Sequence, residues 1–395
     1  MEKYAYIFWK IVRDEFRKIT ESKVTIILYS IVPLLIFFSF SLVYKNEIVT
    51  EIPIAIYDED KSDLTRSIEK MIESASSMRI AYYANSMEEV KDLFKRNKIH
   101  SAFYFPNDFS SKIKSGKQSK AVMFINSSSL IISNSLLNDG TKILKTVNAG
   151  ILMKKLQSAG LTEKQAMNIL NPIRVESNIL YNKNYSYITY LIPGLTTFTL
   201  MMIIIMGAIP IINENIEDED FKQTYKLTGF KITPILIGKA LPHLTFHLSN
   251  MFILIGIIFP LFHVYSQANI FVVIGFLFLF ELVSFSFGMM LSSLVPQRVF
   301  ATEVALFILT PAFIYSGLTF PLWAMPKIHQ LIAHLIPYTY FLSGFVKIFI
   351  MDAEFVYFKN DTLILLLFLT ISLLITIISF KIRLRKIKKE LYEMV

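Results

Sequence analysis

The chain of 395 residues contains no cysteine, which excludes disulfides, cysteine-ligated metal sites and a cysteine nucleophile. Glycine is scarce, and neither a GxxxxGK[ST] phosphate loop nor an HExxH zinc motif occurs. No Ser/His/Asp set or carboxylate pair in the apolar segments has a spacing suited to hydrolysis. We therefore expect no catalytic residue, no metal site and no cofactor in this chain.

Charged residues are missing from long stretches of the sequence. Hydrophobic residues make up 53% of the chain and its mean hydropathy is +0.49. A helix of about 20 apolar residues is long enough to cross a bilayer. We expect an α-helical membrane protein with six transmembrane helices, at residues 24–44, 187–212, 236–262, 269–294, 301–322 and 362–380.

A cleaved signal peptide is the alternative for the first apolar run. That run is longer than the usual apolar region of a signal peptide, and Tyr44-Lys45-Asn46 follows it instead of a small-residue cleavage site. A retained transmembrane helix is therefore favoured.

The distribution of lysine and arginine predicts the orientation. Residues 1–23 carry six of them and residues 381–395 carry another six, whereas the loop between the third and fourth helices has none. Because basic residues concentrate on the cytoplasmic side, we expect both termini in the cytoplasm and a multi-pass protein of the inner or plasma membrane. The net charge of +9 lies in large part at these two ends, where anionic lipid and the cytoplasmic preference of basic residues account for it, so no nucleic-acid partner is expected.

Residues 1–23 have the pattern of an amphipathic helix lying in the cytoplasmic membrane interface. Packing on a soluble partner domain is the alternative. The apolar residues that recur at helical spacing are Tyr4, Ile7, Phe8, Ile11, Val12, Phe16 and Ile19.

Residues 45–185 have short apolar segments alternating with amphipathic ones, which predicts an inserted extracytoplasmic α/β domain. Strands are expected at 52–57, 79–83, 101–105 and 121–126, a long helix at 129–160, and a returning strand at 173–180. Asp58, Glu59 and Asp60 follow the first strand. They suit a hard-metal site or a helix cap, and Asp60 or Ser62 as a cap is favoured.

The polar segment 213–231 follows the second transmembrane helix. Acidic residues begin it and basic residues end it, which favours a short helix at about 214–231, and Gly229 is placed to end that helix. A helix across the cytoplasmic mouth and an ordinary polar connector are equally compatible with this pattern.

Two segments resemble the ABC-2-type permease family. They are Ile232-Thr233-Pro234-Ile235-Leu236-Ile237-Gly238-Lys239-Ala240-Leu241-Pro242 and the block from Ser316-Gly317-Leu318-Thr319-Phe320-Pro321 to Leu335-Ile336-Pro337-Tyr338-Thr339-Tyr340-Phe341. In addition, Ile56-Tyr57-Asp58-Glu59-Asp60-Lys61-Ser62 is similar to the opening of the extracytoplasmic domain in multidrug-type export permeases.

The resemblance implies a permease subunit that works as a homodimer or heterodimer. A cytoplasmic ABC ATPase subunit would dock on the segment at 214–231 and the N-terminal helix, and ATP and magnesium would be bound by that subunit. A periplasmic membrane-fusion protein is a further expected partner. The residues expected to couple this chain to the ATPase are Phe221, Thr224, Tyr225, Leu227, Thr228, Pro234, Gly238 and Lys239.

The resemblance also implies that residues 322–350 dip into the outer leaflet without crossing it. Prolines in this region interrupt any single continuous helix, which agrees with that expectation. The residues expected to define the family block after the fifth transmembrane helix are Ser316, Gly317, Phe320, Pro321, Pro326 and Pro337.

Four ionisable residues fall in or near the transmembrane helices: His243, His247, Glu281 and Glu303. Such residues suggest a functional site, although an interhelical hydrogen bond that stabilises packing is the alternative for each. Glu281 is expected to face the interior of the bundle, with His247 as a candidate partner.

The favoured function is ATP-driven export of an amphipathic, drug-like or lipid-like substrate. The alternative is a membrane-anchored extracytoplasmic sensor or an assembly or interaction protein without transport activity. Substrate identity is not encoded in the hydropathy pattern.

Overall fold

The computed structural model describes residues 2–44, 49–173, 178–182, 186–212, 219–295 and 297–393, with side chains left out at 2, 3, 187, 219, 220 and 386–393. The chain divides into two compact units. Unit 1 comprises Met1–Glu47 and Ile179–Val395, and unit 2 comprises Ile48–Asn178.

Unit 1 begins with two helical segments. Helix α1 spans Glu2–Glu21, and the first apolar segment consists of α2 (Lys23–Ile26), a wider π-helical turn (Ile27–Ile31) and α3 (Val32–Val43). The Ser22 hydroxyl accepts a hydrogen bond from the Thr25 amide (3.2 Å), so Ser22 caps the new helix and separates it from α1.

Unit 2 alternates strands and helices and ends with a long helix. Its elements are β1 (Ile52–Asp58), α4 (Asp63–Glu73), β2 (Met78–Tyr83), α5 (Met87–Lys95), β3 (Ser101–Phe105), α6 (Phe109–Lys114), β4 (Val122–Ile125), α7 (Leu130–Ser158) and α8 (Glu163–Leu170). The sheet order is β2-β1-β3-β4, with β1 parallel to β2 and β3, and β4 antiparallel to β3.

The central strand β1 is buried on both faces. Ile52, Ile54 and Ile56 belong to one apolar cluster with residues of α4 and α7, whereas Ala55 belongs to a second cluster with Val90 of α5. Large side chains therefore fill one side of the small sheet and small ones allow α5 to approach the other.

The four predicted strands are confirmed. Helix α8 was missed by the sequence patterns. The strand expected at 173–180 includes residues 174–177, which lie outside the described residues, while Ile173 and residues 178–180 are not in a strand.

The acidic turn after β1 is used for capping. The Asp58 carboxylate accepts from the Asp60 and Lys61 amides, and the Asp60 carboxylate accepts from the Ser110 amide at the start of α6 (3.2 Å). Ser62 caps α4 in a reciprocal capping box with Thr65. In the part of the chain that the structure describes, no three His, Asp or Glu residues are grouped to hold a metal ion.

The remainder of unit 1 is helical. Its elements are α9 (Tyr187–Ile212), α10 (Glu219–Leu227), α11 (Thr233–Ile253), a π-helical turn (Leu254–Ile258), α12 (Phe259–Leu261), α13 (Ile270–Leu294), α14 (Arg298–Tyr315), a 3-10 turn (Leu322–Ala324), α15 (Lys327–Ala333), α16 (Pro337–Phe349) and α17 (Phe355–Glu393).

Six helices among the described residues are long and apolar enough to cross a membrane. We call them spans 1 to 6: Lys23–Val43, Ile188–Ile212, Thr233–Leu261, Ile270–Leu294, Arg298–Tyr315 and Phe355–Arg385. Spans 2 and 4 are the most buried and pack side by side, and span 6 covers span 4 on another face. The expectation of an α-helical protein with six apolar spans is confirmed.

Two predicted span boundaries were wrong by seven residues. Span 5 ends at Tyr315 rather than at residue 322, because the chain turns at Gly317, whose φ of +91° lies outside the helical region. Span 6 begins at Phe355 rather than at residue 362, and its helix α17 continues to Glu393 through the basic tail expected at 381–395. The local sequence has no proline or glycine that would end this helix.

Candidate functional site

Helix α1 packs lengthwise on α11. Ile7, Ile11, Glu15 and Ile19, four residues apart, are buried on this contact face. At Gly238 of α11 the two helices approach so closely that an added methyl group would lie 2.9 Å from the Ile11 side chain. The apolar stripe predicted on α1 is therefore divided, because Tyr4 and Phe16 remain exposed together with Trp9.

A buried polar network joins α1 to three spans. The His243 ring of span 3 lies 3.1 Å from the Glu15 carboxylate of α1 through Nε2, and 2.8 Å from the Tyr29 hydroxyl of span 1 through Nδ1. The same hydroxyl lies 3.1 Å from the Gly207 carbonyl of span 2. The Tyr29 hydroxyl has one proton, which it donates either to the Gly207 carbonyl or to His243 Nδ1, and in the second case a proton on Nε2 lets His243 donate to Glu15.

Span 3 also bonds the backbone of span 1. The Asn250 side chain donates to the Tyr29 carbonyl (2.5 Å), which lies inside the π-helical turn Ile27–Ile31. Wider π turns interrupt the regular helical hydrogen-bond pattern and occur often at functional sites. The network therefore ties α1, span 1, span 2 and span 3 together through buried polar groups.

The sequence patterns pointed to His243 but not to its partners. Glu15, Tyr29 and Asn250 were missed, although Glu15 lies on the same buried face as Ile7, Ile11 and Ile19 and so had a detectable signal.

Helix α10 is held in place by aromatic contacts along its length. The Tyr225 ring is buried between the rings of Phe221 (6.2 Å) and Phe230 (5.3 Å), and Phe221 contacts Phe380 of span 6 (6.3 Å). The Lys239 ammonium lies 6.0 Å from the centre of the Phe221 ring. The helix therefore packs against both span 3 and span 6.

The predicted helix end at Gly229 is confirmed. The Gly229 φ is +65°, and the Phe230 amide donates to the Tyr225 carbonyl (3.0 Å), which closes the last turn. The predicted helix at 214–231 is observed over Glu219–Leu227, and residues 213–218 lie outside the described residues.

The eight residues predicted for coupling differ in accessibility. Leu227 is 41% exposed, whereas Thr228 is 2% exposed and its hydroxyl donates to the Tyr225 carbonyl. Thr224 and Pro234 are half-buried, and Pro234 lies in the first turn of α11. The exposed face of α10 is formed by Gln223, Lys226 and Leu227, of which only Leu227 was predicted.

The predicted pairing of His247 with Glu281 is not observed. His247 lies against Tyr29, with a ring distance of 4.9 Å, on the face of span 3 toward spans 1 and 2. Glu281 is buried at 1% exposure, as expected. Within the described residues neither side chain has a hydrogen-bond partner. Glu303 is exposed on span 5.

The block after span 5 is held on span 2. The buried Tyr338 hydroxyl donates to the Gly194 carbonyl (2.5 Å) and lies 3.1 Å from the Thr197 hydroxyl. The Tyr190 hydroxyl donates to the Leu318 carbonyl (2.6 Å).

The prolines of this block begin its short helical turns. Pro321 precedes the 3-10 turn, Pro326 precedes α15 and Pro337 begins α16. The axis of α16 turns by 84° from the axis of α15, which confirms the predicted break between them. Ser316 is buried, whereas Phe320 is 50% exposed.

The chain matches a known family over most of its length. Residues 23–378 match the family model described as ABC-2 family transporter protein. Two similar proteins are the "Probable multidrug ABC transporter permease YbhR" of Escherichia coli strain K12 and that of Escherichia coli O157:H7. Each is 23% identical over 356 residues, covering 88% of this chain and 90% of the relative.

Proposed function

The chain belongs to the ABC-2 family of transporter proteins, and we propose that it exports an amphipathic, drug-like or lipid-like substrate from the cell. It is a transmembrane permease subunit and not an enzyme. Membership of this family implies an ABC ATPase as the partner that hydrolyses ATP, and a second permease. The multidrug description of the similar Escherichia coli proteins supports the substrate class proposed here.

The proposal extends to location and partners. Both termini lie in the cytoplasm, unit 2 lies on the opposite side of an inner or plasma membrane, and a periplasmic membrane-fusion protein is a further partner. The basic residues at the two ends of the chain support this orientation. Residues 322–350 enter the outer leaflet and return, which the bend between α15 and α16 supports.

One observation carries the proposal of coupling to an ATPase. The short helix α10 presents Gln223, Lys226 and Leu227 outward, while its opposite face packs through Phe221 on Phe380 of span 6. A push on this exposed face would therefore reach a transmembrane helix through packed aromatic rings. Packed cores transmit displacement because they have little free volume.

Helix α1 supplies a second connection to the transmembrane spans. It packs on span 3 along its length, and Glu15 reaches the polar network of His243 and Tyr29. In the proposed mechanism, ATP binding to the partner subunit moves α10 and α1 together, and spans 1, 3 and 6 follow.

The experiment is purification of the complex of this chain with its ATPase, followed by parallel assays of ATP hydrolysis and of ATP-dependent transport. Leu227→Glu should lower transport per ATP hydrolysed at least about fivefold without unfolding the spans, because a charge replaces an apolar contact at a partner surface. The matched control is Leu152→Glu on α7, since Leu152 is 42% exposed against 41% for Leu227.

Unchanged coupling in Leu227→Glu would reject α10 as the coupling surface. Failure of the chain to copurify with an ATPase would reject the exporter proposal itself.

A further inference from the structure

The first turns of spans 4 and 6, together with helix α16, border an open cavity of about 590 Å³. This volume is within the range of about 300 to 1,000 Å³ that is typical of sites for drug-sized ligands. Its walls are apolar side chains of the two spans, including Val272, Leu279 and Phe358. The cavity lies wholly within unit 1.

The rim of the cavity is acidic. Asp352 and Glu354, in the segment between α16 and span 6, line it, and both are exposed. Neither carboxylate has a hydrogen-bond or ion-pair partner among the described residues. None of the described lining residues is basic, and Lys347 of α16 is paired with Asp361 (2.7 Å). The cavity therefore presents negative charge above an apolar interior.

Aromatic rings form much of the interior. Phe358 lies edge-on to Phe276 (ring centroids 5.9 Å apart) and to Phe355 (5.2 Å), and all three line the cavity. The faces of aromatic rings attract cations, and this attraction strengthens where water is excluded. The acidic rim and the aromatic rings thus both favour a cation as the ligand.

We propose that this cavity binds a small lipophilic cation, the class of substrate that the exporter carries; the identity as substrate rests on the proposed function. The charged centre of the cation would lie between the rim carboxylates and the aromatic rings, and the apolar groups of the cation would lie along span 4. A diacyl lipid is a different occupant, and the test below separates it from a small cation.

The experiment measures equilibrium binding of tetraphenylphosphonium to the full chain in nanodiscs without ATP. Tetraphenylborate is the matched probe, because it has nearly the same shape and the opposite charge. We expect binding of the phosphonium at least about tenfold tighter than that of the borate, because the rim is acidic and the interior aromatic.

The first variant fills the cavity. Gly275 of span 4 lines it, and a side chain added there would meet no atom within 4 Å, so Gly275→Phe should occupy the space without disturbing the helix. We expect loss of phosphonium binding by at least about tenfold. Gly256→Phe is the control, because Gly256 has the same open surroundings on span 3 and does not line the cavity.

The second variant removes the rim charge. Asp352→Asn with Glu354→Gln preserves size, and asparagine tolerates the φ of +49° at position 352. Phosphonium binding should weaken by about fivefold while borate binding does not weaken. Glu73→Gln with Glu163→Gln, which removes two exposed carboxylates of unit 2, should leave both unchanged.

Equal binding of the two probes, or unchanged phosphonium binding in both cavity variants, would overturn the proposal. Complete displacement of the phosphonium by phosphatidylethanolamine in the nanodisc would also overturn it and assign the cavity to lipid. Because the assay uses no ATP, phosphonium binding without ATP-dependent phosphonium transport would reject the cation as a substrate while leaving the site established, and the exporter function itself is tested separately by copurification with the ATPase.

Discussion

Tyr29 is the residue on which most of the buried polar network depends. Its hydroxyl meets His243 and the Gly207 carbonyl, and its own carbonyl accepts from Asn250. A buried polar group that loses its partner costs more free energy than the hydrogen bond contributed, because it cannot return to water.

Tyr29→Phe keeps the ring and removes the hydroxyl from this network. We expect the free energy of unfolding to fall by about 1 to 3 kcal/mol, because His243 Nδ1 is left buried without its partner. The measurement is thermal unfolding of the purified chain in detergent. Tyr6→Phe is the control, since Tyr6 is exposed on α1. Equal losses in the two variants would show that the network adds no stability.

Glu281 presents the opposite case, a buried carboxyl group without a hydrogen-bond partner in the described residues. Glu281→Gln keeps its shape and removes its ability to ionise, while Glu281→Ala also leaves a cavity. If the residue only packs, the Gln variant should match wild type, and the Ala variant should lose about 1 to 3 kcal/mol of stability.

If Glu281 serves transport, Gln should abolish export in a folded protein. ATP-dependent transport and thermal unfolding of both variants distinguish these outcomes. The exposed Glu303 provides a control, because Glu303→Gln should leave stability unchanged. An Ala variant with wild-type stability and transport would exclude Glu281 from the functional residues.

Thr228 and Leu227 are neighbours with different surroundings. Thr228→Glu would bury a charge without a partner, and we expect it to lower stability by about 2 to 4 kcal/mol. Leu227→Glu should not cause this loss, because Leu227 is exposed. Thermal unfolding of the two variants measures the difference. Equal melting temperatures would contradict the buried position of Thr228.

At the scale of elements, the carboxyl ends of β1 and β3 are joined by an acid and two tyrosines. The rings of Tyr57 and Tyr104 stack at 4.9 Å, and both hydroxyls donate to the Glu59 carboxylate. The hydrogen bond from Tyr57 lowers the pKa of Glu59 most, and the one from Tyr104 lowers it further. The bond to Glu59 also raises the pKa of Tyr57 to about 12.

These shifts predict how the stability of the strand ends depends on pH. Folding lowers the pKa of Glu59. Its contribution to stability is therefore present above the unfolded pKa of about 4.3 and is lost as the pH falls through the lower pKa of the folded state. The Tyr57 contribution is present below its unfolded value of about 10 and is lost as the pH rises toward 12.

Hydrogen exchange of β1 and β3 in the full chain measures this dependence. Wild type should be better protected than Glu59→Gln at neutral pH, and the difference should shrink in acid. Glu163→Gln on α8 is the control, because Glu163 is exposed. A difference between wild type and Glu59→Gln that does not vary with pH would contradict the assignment.

At the scale of the whole molecule, the proposed function requires a defined orientation in the membrane. The absence of cysteine means that a single engineered cysteine can be labelled without background. Gln118→Cys in unit 2 should react with a membrane-impermeant reagent in intact cells, whereas Arg13→Cys on α1 should react only after the membrane is opened. Reversed labelling would overturn the proposed orientation.

The two units differ in what their sequences determine. Each span was predictable because the free energy of placing about 20 apolar residues in a bilayer depends on those residues alone. The helix end at Gly229 and the strand Ser101–Phe105 are likewise local, since they follow from backbone preference and side-chain alternation within a few residues.

Contacts between distant segments were decided by the tertiary structure. His243 is more than 200 residues away in sequence from both Glu15 and Tyr29, and no local pattern links them. The burial of Thr228 beside the exposed Leu227 depends on where spans 3 and 6 place α10. The cavity between spans 4 and 6 likewise exists only through packing, because helix periodicity shows which residues are apolar but not which helix each one meets.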